Sequence, residues 1–350
     1  MSVSLAVIRV RTVSSVVAVL GAGALLLASC GSTPTSSVPR ANGTPAFSIS
    51  VPLTNVGCTR IDVCVAIGTS SASVEPNAVG EYSTPRGRWL KLTLPTSPSP
   101  VIDTTTCSGT TCLLGGSGPG NDLLWLFSAK GDTVDAVTPP SGGIGIESLA
   151  CNDQICALID TGVQGDIPRL SLSSDGGTDW AAPIALPWAK RDAITTLSCG
   201  TILACAVGTL SGTHQFSLRV TEDGGTTWTA PPLPSSWTSL RSLSCEARRC
   251  VALASEGDAS SLVRSTTFLR TWTSVSLDEK GNALACTSFS SCFVAGQLSD
   301  GEGWLARVHD KGATTVQLRY VPTPLLGVAC GTKVCAAVAV TTVLSIPSTL

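Results

Sequence analysis

The sequence predicts an all-β fold: a seven-bladed β-propeller with four-stranded blades, in which an N-terminal strand completes the last blade. Three observations carry the prediction. Fourteen of the 15 cysteines fall into seven close pairs. The first cysteines of successive pairs are 49, 44, 48, 46, 41 and 44 residues apart, the period of a four-stranded propeller blade. The last unit runs out one strand short, and a strand-like segment stands unused before the first.

The chain divides into three parts. Residues 1–29 read as a signal segment, with Arg9 and Arg11 ahead of an apolar run over 13–27. That run is short for a membrane span, which needs about 20 residues. It ends in Leu27-Ala28-Ser29-Cys30-Gly31, which resembles the lipobox of bacterial lipoproteins. The resemblance implies a lipidated Cys30 and an extracytoplasmic protein held on the outer face of the bacterial cell membrane. Residues 30–45 are the lipidated cysteine and a Ser/Thr/Pro-rich tether without periodicity, a flexible spacer by composition. Residues 46–350 form the propeller.

Within a unit, strand A ends at the first cysteine and strand B begins at the second. Strand C runs into a Gly-rich turn, and strand D runs from a Trp toward a Pro. Alternating Leu170/Leu172 and Leu218/Val220 support strands over helices. In the last unit, residues 327–330, 335–340 and 343–346 supply A, B and C, after which the chain has no D strand. Residues 46–53 resemble the missing strand and would remove an open sheet edge.

A secreted chain permits disulfides. With Cys30 assigned to lipid, the repeat reduces the pairings to one set: Cys58/Cys64, Cys107/Cys112, Cys151/Cys156, Cys199/Cys205, Cys245/Cys250, Cys286/Cys292 and Cys330/Cys335. Each pair flanks the A–B turn, so the staples are expected as a feature of one end of the ring. Metal is the rival reading. Structural zinc wants convergent thiolates with histidine, and the two histidines lie outside the pairs, so neither metal nor cofactor is expected.

Ser173, Asp175, Gly177 and Trp180 follow the spacing S/T-x-D-x-G-x-x-W, as do Thr221, Asp223, Gly225 and Trp228. A degenerate copy keeps Ser265 and Trp272 but has Thr267 and Leu269 for the Asp and Gly. Trp89 is the strand-D counterpart in the first unit. The pattern resembles the BNR or Asp-box repeat of sialidase-like propellers, and the cysteine repeat covers nearly all of the mature chain. The resemblance implies a structural role for the box: Asp caps turn amides, Gly supplies positive φ, and Trp fills the gap between sheets.

Function is less legible. Net charge is −2 with 13% charged residues, which gives no nucleic-acid footprint. The resemblance would allow a sialidase-like exo-glycosidase with three arginines, a tyrosine nucleophile and carboxylates. Only Tyr82 and Tyr320 are present, and Tyr320 has Arg319 alone beside it. The staples and boxes fall at one end, whereas the D–A and B–C loops at the other carry Trp188, Arg191, Trp237, Arg241, Glu279 and Asp300. Exposed Trp beside Arg suits stacking and interface burial. The sequence therefore favours a non-catalytic, monomeric binding or scaffold module, membrane-attached through lipid, for an envelope protein or glycan. A sialidase-like glycosidase is the alternative.

Overall fold

The computed structural model describes residues 47–48, 52–70, 77–83, 88–93, 101–117, 124–130, 132–162, 167–277, 279–309, 312–314, 321–340 and 342–348. The signal segment, Cys30, the tether, Arg319 and Tyr320 lie outside them. Among the described residues no helix is long and apolar enough to cross a membrane.

The chain forms antiparallel sheets, seven among the described residues. The first holds β2 (Leu53–Cys58), β3 (Cys64–Ser70), β4 (Asn77–Ser83) and β5 (Trp89–Leu92). The second holds β6 (Val101–Ser108), β7 (Thr111–Ser117), β8 (Leu124–Lys130) and β9 (Thr133–Ala136). The third holds β10 (Gly143–Asn152), β11 (Ile155–Gly162), β12 (Pro168–Ser173) and β13 (Ile184–Ala185). The fourth has three strands, β14 (Ala193–Cys199), β15 (Cys205–Leu210) and β16 (Phe216–Thr221). The fifth holds β17 (Ser239–Glu246), β18 (Arg249–Glu256), β19 (Ala259–Ser265) and β20 (Thr273–Leu277). The sixth holds β21 (Lys280–Ser288), β22 (Ser291–Gln297), β23 (Gly303–His309) and β24 (Gly312–Thr314). The seventh joins β25 (Leu325–Cys330), β26 (Val334–Ala339) and β27 (Thr342–Pro347) to β1 (Phe47–Ser48), which pairs antiparallel with β27.

Each sheet buries both faces, so its second strand is apolar without alternation. Residues 112–116 and 156–160 are buried throughout, and so are 250–255. The core is a set of clusters between adjacent sheets, such as Val65, Ile67 and Leu92 against Ile102, Leu114 and Phe127. The series includes a cluster between the seventh sheet and the first, where Val338 and Val343 meet Leu53, Val56 and Trp89. Polar contacts reinforce that seam. Trp89 Nε1 donates to Ser345 Oγ at 3.0 Å. Asp62 Oδ1 accepts from the amides of Lys333 (2.7 Å) and Val334 (3.1 Å), and Oδ2 accepts from Thr332 Oγ1 (3.1 Å).

All seven cysteine pairs are disulfides between facing residues of the first and second strands, with Cα atoms 3.9–4.1 Å apart. They sit beside the first-to-second turns, at one end of each sheet as expected, and each also reaches inward. The second member of every pair, Cys64, Cys112, Cys156, Cys205, Cys250, Cys292 and Cys335, is a fully buried core residue at 0% exposure. The reason is its strand, which lies between two partners in its own sheet and is covered on both faces by the neighbouring sheets. Cys112 packs with Ile102 and Phe127, and Cys156 with Leu113 and Leu158. Cys250 joins the cluster of Leu243 and Phe268, Cys292 that of Leu284 and Val308, and Cys335 that of Phe293 and Ile346. Of the first members only Cys199 and Cys245 are buried. Each staple therefore runs from a first strand into the core.

The box turns lie at the stapled end. Gly176 N donates to Gln154 O, Gly224 N to Leu203 O and Phe268 N to Arg248 O, each acceptor being in the adjacent first-to-second turn. In the two full boxes the Ser173 or Thr221 hydroxyl donates to the Asp and accepts the amide of Gly177 or Gly225. Trp180 and Trp228 donate Nε1 to the carbonyls of those glycines at 3.0 Å. The degenerate box keeps the geometry: Thr267 Oγ1 accepts from Thr271 N (2.9 Å), and Leu269 adopts φ +69° in the glycine place.

The fourth strands depart from expectation. In the third sheet β13 is two residues long and starts four residues after Trp180. In the fourth sheet the segment after Trp228 makes a single bridge, Thr229 to Val220. Pro231, Pro232 and Pro234 follow, and prolines have no amide to donate to a ladder.

The turns can be tested in two places. Asp62→Ala leaves two amides and a hydroxyl at the seam without their carboxylate, and should cost about 1–3 kcal/mol; thermal unfolding against Asp132→Ala as control measures it. The Thr227 hydroxyl and amide and the Thr221 hydroxyl hold the Asp223 carboxyl down to about 2. A lowered folded-state value adds stability that is complete above the unfolded value near 3.8 and is lost as pH falls toward 2. Asp223→Asn should therefore flatten the fall in stability across that acid range, measured as unfolding midpoints.

Candidate functional site

The first strands of all seven sheets line one cavity of about 1170 Å³. Its walls are rich in small polar side chains, among them Asn55, Thr104, Ser148, Ser242 and Asn282. At the stapled end two contacts cross it as chords. Asn152 Nδ2 donates to Cys245 O at 3.0 Å, from the third sheet to the fifth. Arg60 pairs with Asp153 at 2.7 Å, from the first sheet to the third.

The opposite end, the mouth, has a feature common to every sheet. Four residues before its first cysteine, each innermost strand slips register against its partner by one residue. Such a bulge places a residue outside the ladder and re-aims its side chain. The bulged residues are Thr54, Asp103, Glu147, Thr195, Arg241, Asn282 and Leu326. Two residues later the same strands carry Val56, Thr105, Leu149, Leu197, Leu243, Leu284 and Val328, all buried. The packed position thus varies little, whereas at the mouth position Thr alone occurs twice.

Electrostatics concentrate on the third sheet. The residue facing the one before the bulge is Gly68, Gly116, Thr209, Ala254, Gly296 and Ala339 in the other sheets, but Asp160 here. A Cβ at Gly68, Gly116 or Gly296 would lie within about 2 Å of a carbonyl oxygen of the neighbouring strand. Asp160 is fully buried, and both Nε and Nη2 of Arg169 approach its Oδ1, at 2.8 and 2.7 Å. Oδ2 has no hydrogen-bond partner among the described residues. Burial pushes the Asp160 carboxyl above its ordinary range, the Arg169 guanidinium opposes this, and Glu147 adds to it. Glu147 itself accepts from Thr161 Oγ1. Desolvation raises the Asp103 carboxyl to about 6, against a backbone hydrogen bond that lowers it.

The expected binding face is partly rearranged. Arg241 lies at the mouth, exposed, with Nε donating to Ser255 Oγ at 2.9 Å. Asp300 sits in the turn between β22 and β23 and accepts from Glu302 N at 3.0 Å. Arg191 is exposed at φ +64°, and Glu279 is half-buried before β21. The two tryptophans expected to be exposed pack inward instead, Trp237 within a core cluster and Trp188 at the edge of one. Trp237 is 9% exposed and meets Trp272 edge-on at 5.1 Å. Trp188 is half-buried against Trp228 at 5.1 Å, with its Nε1 buried. The physical reason is the loss of the fourth strands: a Pro-rich segment leaves a gap beside the next sheet's box tryptophan, and the loop tryptophan fills it. Asp103, Glu147 and the Asp160–Arg169 pair were missed by sequence reasoning. Aligning the seven units on their cysteines would have exposed the variable mouth position.

No protein-family profile and no curated protein sequence matches the chain. Solved structures do. The chain is similar to YCF48 bound to D1 peptide, at 13% identity over 90% of this chain and 98% of that one, with TM-score 0.58. YCF48 from Cyanidioschyzon merolae matches at 12% identity over 85% and 96%, with TM-score 0.56. The GH74 xyloglucanase from Xanthomonas campestris matches at 14% identity over 85% and 53%, with TM-score 0.60. At these identities the likeness shows the fold, which is a β-propeller.

The buried pair yields a test. Arg169→Met leaves Asp160 as a buried carboxylate without its cation, which should cost about 3–5 kcal/mol. A raised folded-state value means that stability falls as pH rises from the unfolded value through the folded one. The loss should therefore be larger at mildly alkaline than at mildly acidic pH, read by denaturant unfolding under both conditions.

Proposed function

We propose that this chain is a non-catalytic binding or scaffold module: a closed seven-bladed propeller of BNR/Asp-box type, tethered as a lipoprotein outside the cell membrane. It takes an envelope protein or glycan at the mouth. The observation that carries the reading is the recurring bulge, where one backbone position carries Thr54, Asp103, Glu147, Thr195, Arg241, Asn282 and Leu326 at one end of the sheets, with Thr54, Thr195, Arg241, Asn282 and Leu326 lining the cavity. Staples, boxes and inter-sheet clusters repeat; this position does not. Side chains outside the repeated packing positions are the means by which a repeat scaffold acquires a specific ligand.

Closure into seven blades is supported by the pairing of β1 with β27 and by the cluster joining the first and seventh sheets. The anchor is supported by Leu27-Ala28-Ser29-Cys30. The neighbour of like length that holds a peptide makes a peptide ligand compatible with a scaffold of this size. For the alternative, a sialidase-like exo-glycosidase, the described mouth offers one arginine among its bulge residues, Arg241. Its acids, Asp103 and Glu147, come from neighbouring sheets.

The test is recovery of crosslinked envelope partners by the full chain. Arg241→Ala with Asn282→Ala should reduce recovery roughly tenfold while leaving stability within about 1 kcal/mol of the wild type. Unchanged recovery removes the mouth from the binding site. Hydrolysis of an aryl glycoside by the wild type, abolished in Glu147→Gln, would put the glycosidase reading in its place.

A further inference from the structure

We infer that a surface pocket between the second and third sheets is a second binding site, which takes a tryptophan side chain from a segment of a partner protein. The molecule itself supplies the pattern. Trp180, Trp228 and Trp272 follow the third strands of the third, fourth and fifth sheets at the same box position. Each packs toward the preceding sheet. Trp228 is met there at 5.1 Å by Trp188, from the connection between the third and fourth sheets. Trp272 is met at 5.1 Å by Trp237, from the connection between the fourth and fifth. Two successive gaps are thus filled by one indole against another.

The gap before them has no second ring. Trp188 stands 11 residues before Cys199 and Trp237 eight before Cys245, whereas the places 11 and eight before Cys151 hold Pro140 and Gly143. The connection from β9 to β10 reads Val-Thr-Pro-Pro-Ser-Gly over 137–142. Trp180 meets no other aromatic ring among the described residues. Where that ring is missing there is a pocket of about 210 Å³. The same two elements line it: Pro139, Pro140 and Ser141 of the connection on one side, Asp179, Trp180 and Pro183 on the other.

Size and walls select the ligand. Sites for drug-sized molecules run to roughly 300–1,000 Å³, so this pocket suits a single large side chain. Trp180 is only half-buried, and an aromatic ring favours a tilted or edge-on partner with centroids about 4.5–7 Å apart. The tilted and edge-on pairs in the next two gaps have that geometry. Pro139 and Pro140, fixed in φ, stiffen the facing wall. An incoming indole also needs an acceptor for its N–H. Asp179 and Ser141, both exposed at the rim, carry a carboxylate and a hydroxyl suited to accept it. An aliphatic side chain gains neither the ring contact nor that bond. None of these residues lines the central cavity, so the site is separate from the mouth.

The test uses the full chain and the tripeptide acetyl-Ala-Trp-Ala amide with a fluorinated indole, followed by fluorine NMR. The wild type should broaden the signal, and unlabelled acetyl-Ala-Trp-Ala amide should reverse the broadening while acetyl-Ala-Leu-Ala amide does not. Ser141→Trp offers an indole from this chain at an exposed position, and should weaken binding roughly tenfold or more. Arg241→Ala at the mouth should leave binding within about twofold, as expected of separate sites. Absence of reversible broadening with the wild type overturns the site. So does equal competition by the leucine peptide, or loss of binding in Arg241→Ala with retention in Ser141→Trp. The mouth reading is decided by its own crosslinking experiment, so failure here leaves it untouched.

Discussion

Every sheet in this protein has two apolar faces, and only its two neighbours can cover them. This constraint governs the rest. A stack of such sheets leaves bare faces on its first and last members, at a cost of about 25 cal/mol for each Å² left in water. The packing of Leu53, Val56 and Trp89 against Val338 and Val343 covers both at once. The seam is then secured at several heights: β1 on β27, Trp89 on Ser345, and Asp62 on the Thr332–Val334 turn. Unbroken buried runs in the second strands are a consequence of two-sided cover, and so is the near-absence of charge inside.

The disulfides have a different task. Each joins cysteines five or six positions apart, which in the chain-entropy model stabilises by only about 2 kcal/mol, and none links one sheet to another. Cohesion between sheets comes from the apolar clusters, to which the buried cysteines such as Cys112 and Cys250 contribute as small hydrophobes, and from the tryptophan pairs 188/228 and 237/272. The staples pin the inner hairpin at one end, and the bulge ends its regular pairing at the other. The same two strands thereby become invariant near the cysteines and free to vary near the mouth.

Much of this was legible in the sequence because it repeats. The cysteine period, the two full boxes and the spare first strand are signals that recur or complete one another along the chain. The degenerate box was legible only in part. Thr267 reproduces the capping bond of Asp, and buried Leu269 occupies a positive-φ place, so the turn outlived its motif. What failed to show was what depends on distant strands. The pairing of Cys156 could be read from spacing, but its complete burial depends on Leu113 of the preceding sheet. Trp188 and Trp237 look like surface residues in Pro-rich loops, and their burial is decided by a box tryptophan 40 and 35 residues further on. Asp160 lies in an apolar run, and only the register with Arg169 explains how a carboxylate is held there.

The same division explains how seven units keep one fold while their mouth residues differ. A mouth residue lies outside the ladder, so replacing Thr54 by Asp, Arg or Leu in sister units leaves the packing below it unaltered, as Asp103, Arg241 and Leu326 demonstrate within one molecule. The third sheet marks the limit of that freedom. Asp160 sits one step inside the ladder, fully buried, and required an arginine directly opposite on the next strand. Chemistry at the rim carries little structural cost, and chemistry one residue deeper needs a partner. Variation among the units is therefore concentrated at the bulge, where a side chain can change while the packed position two residues below it stays the same.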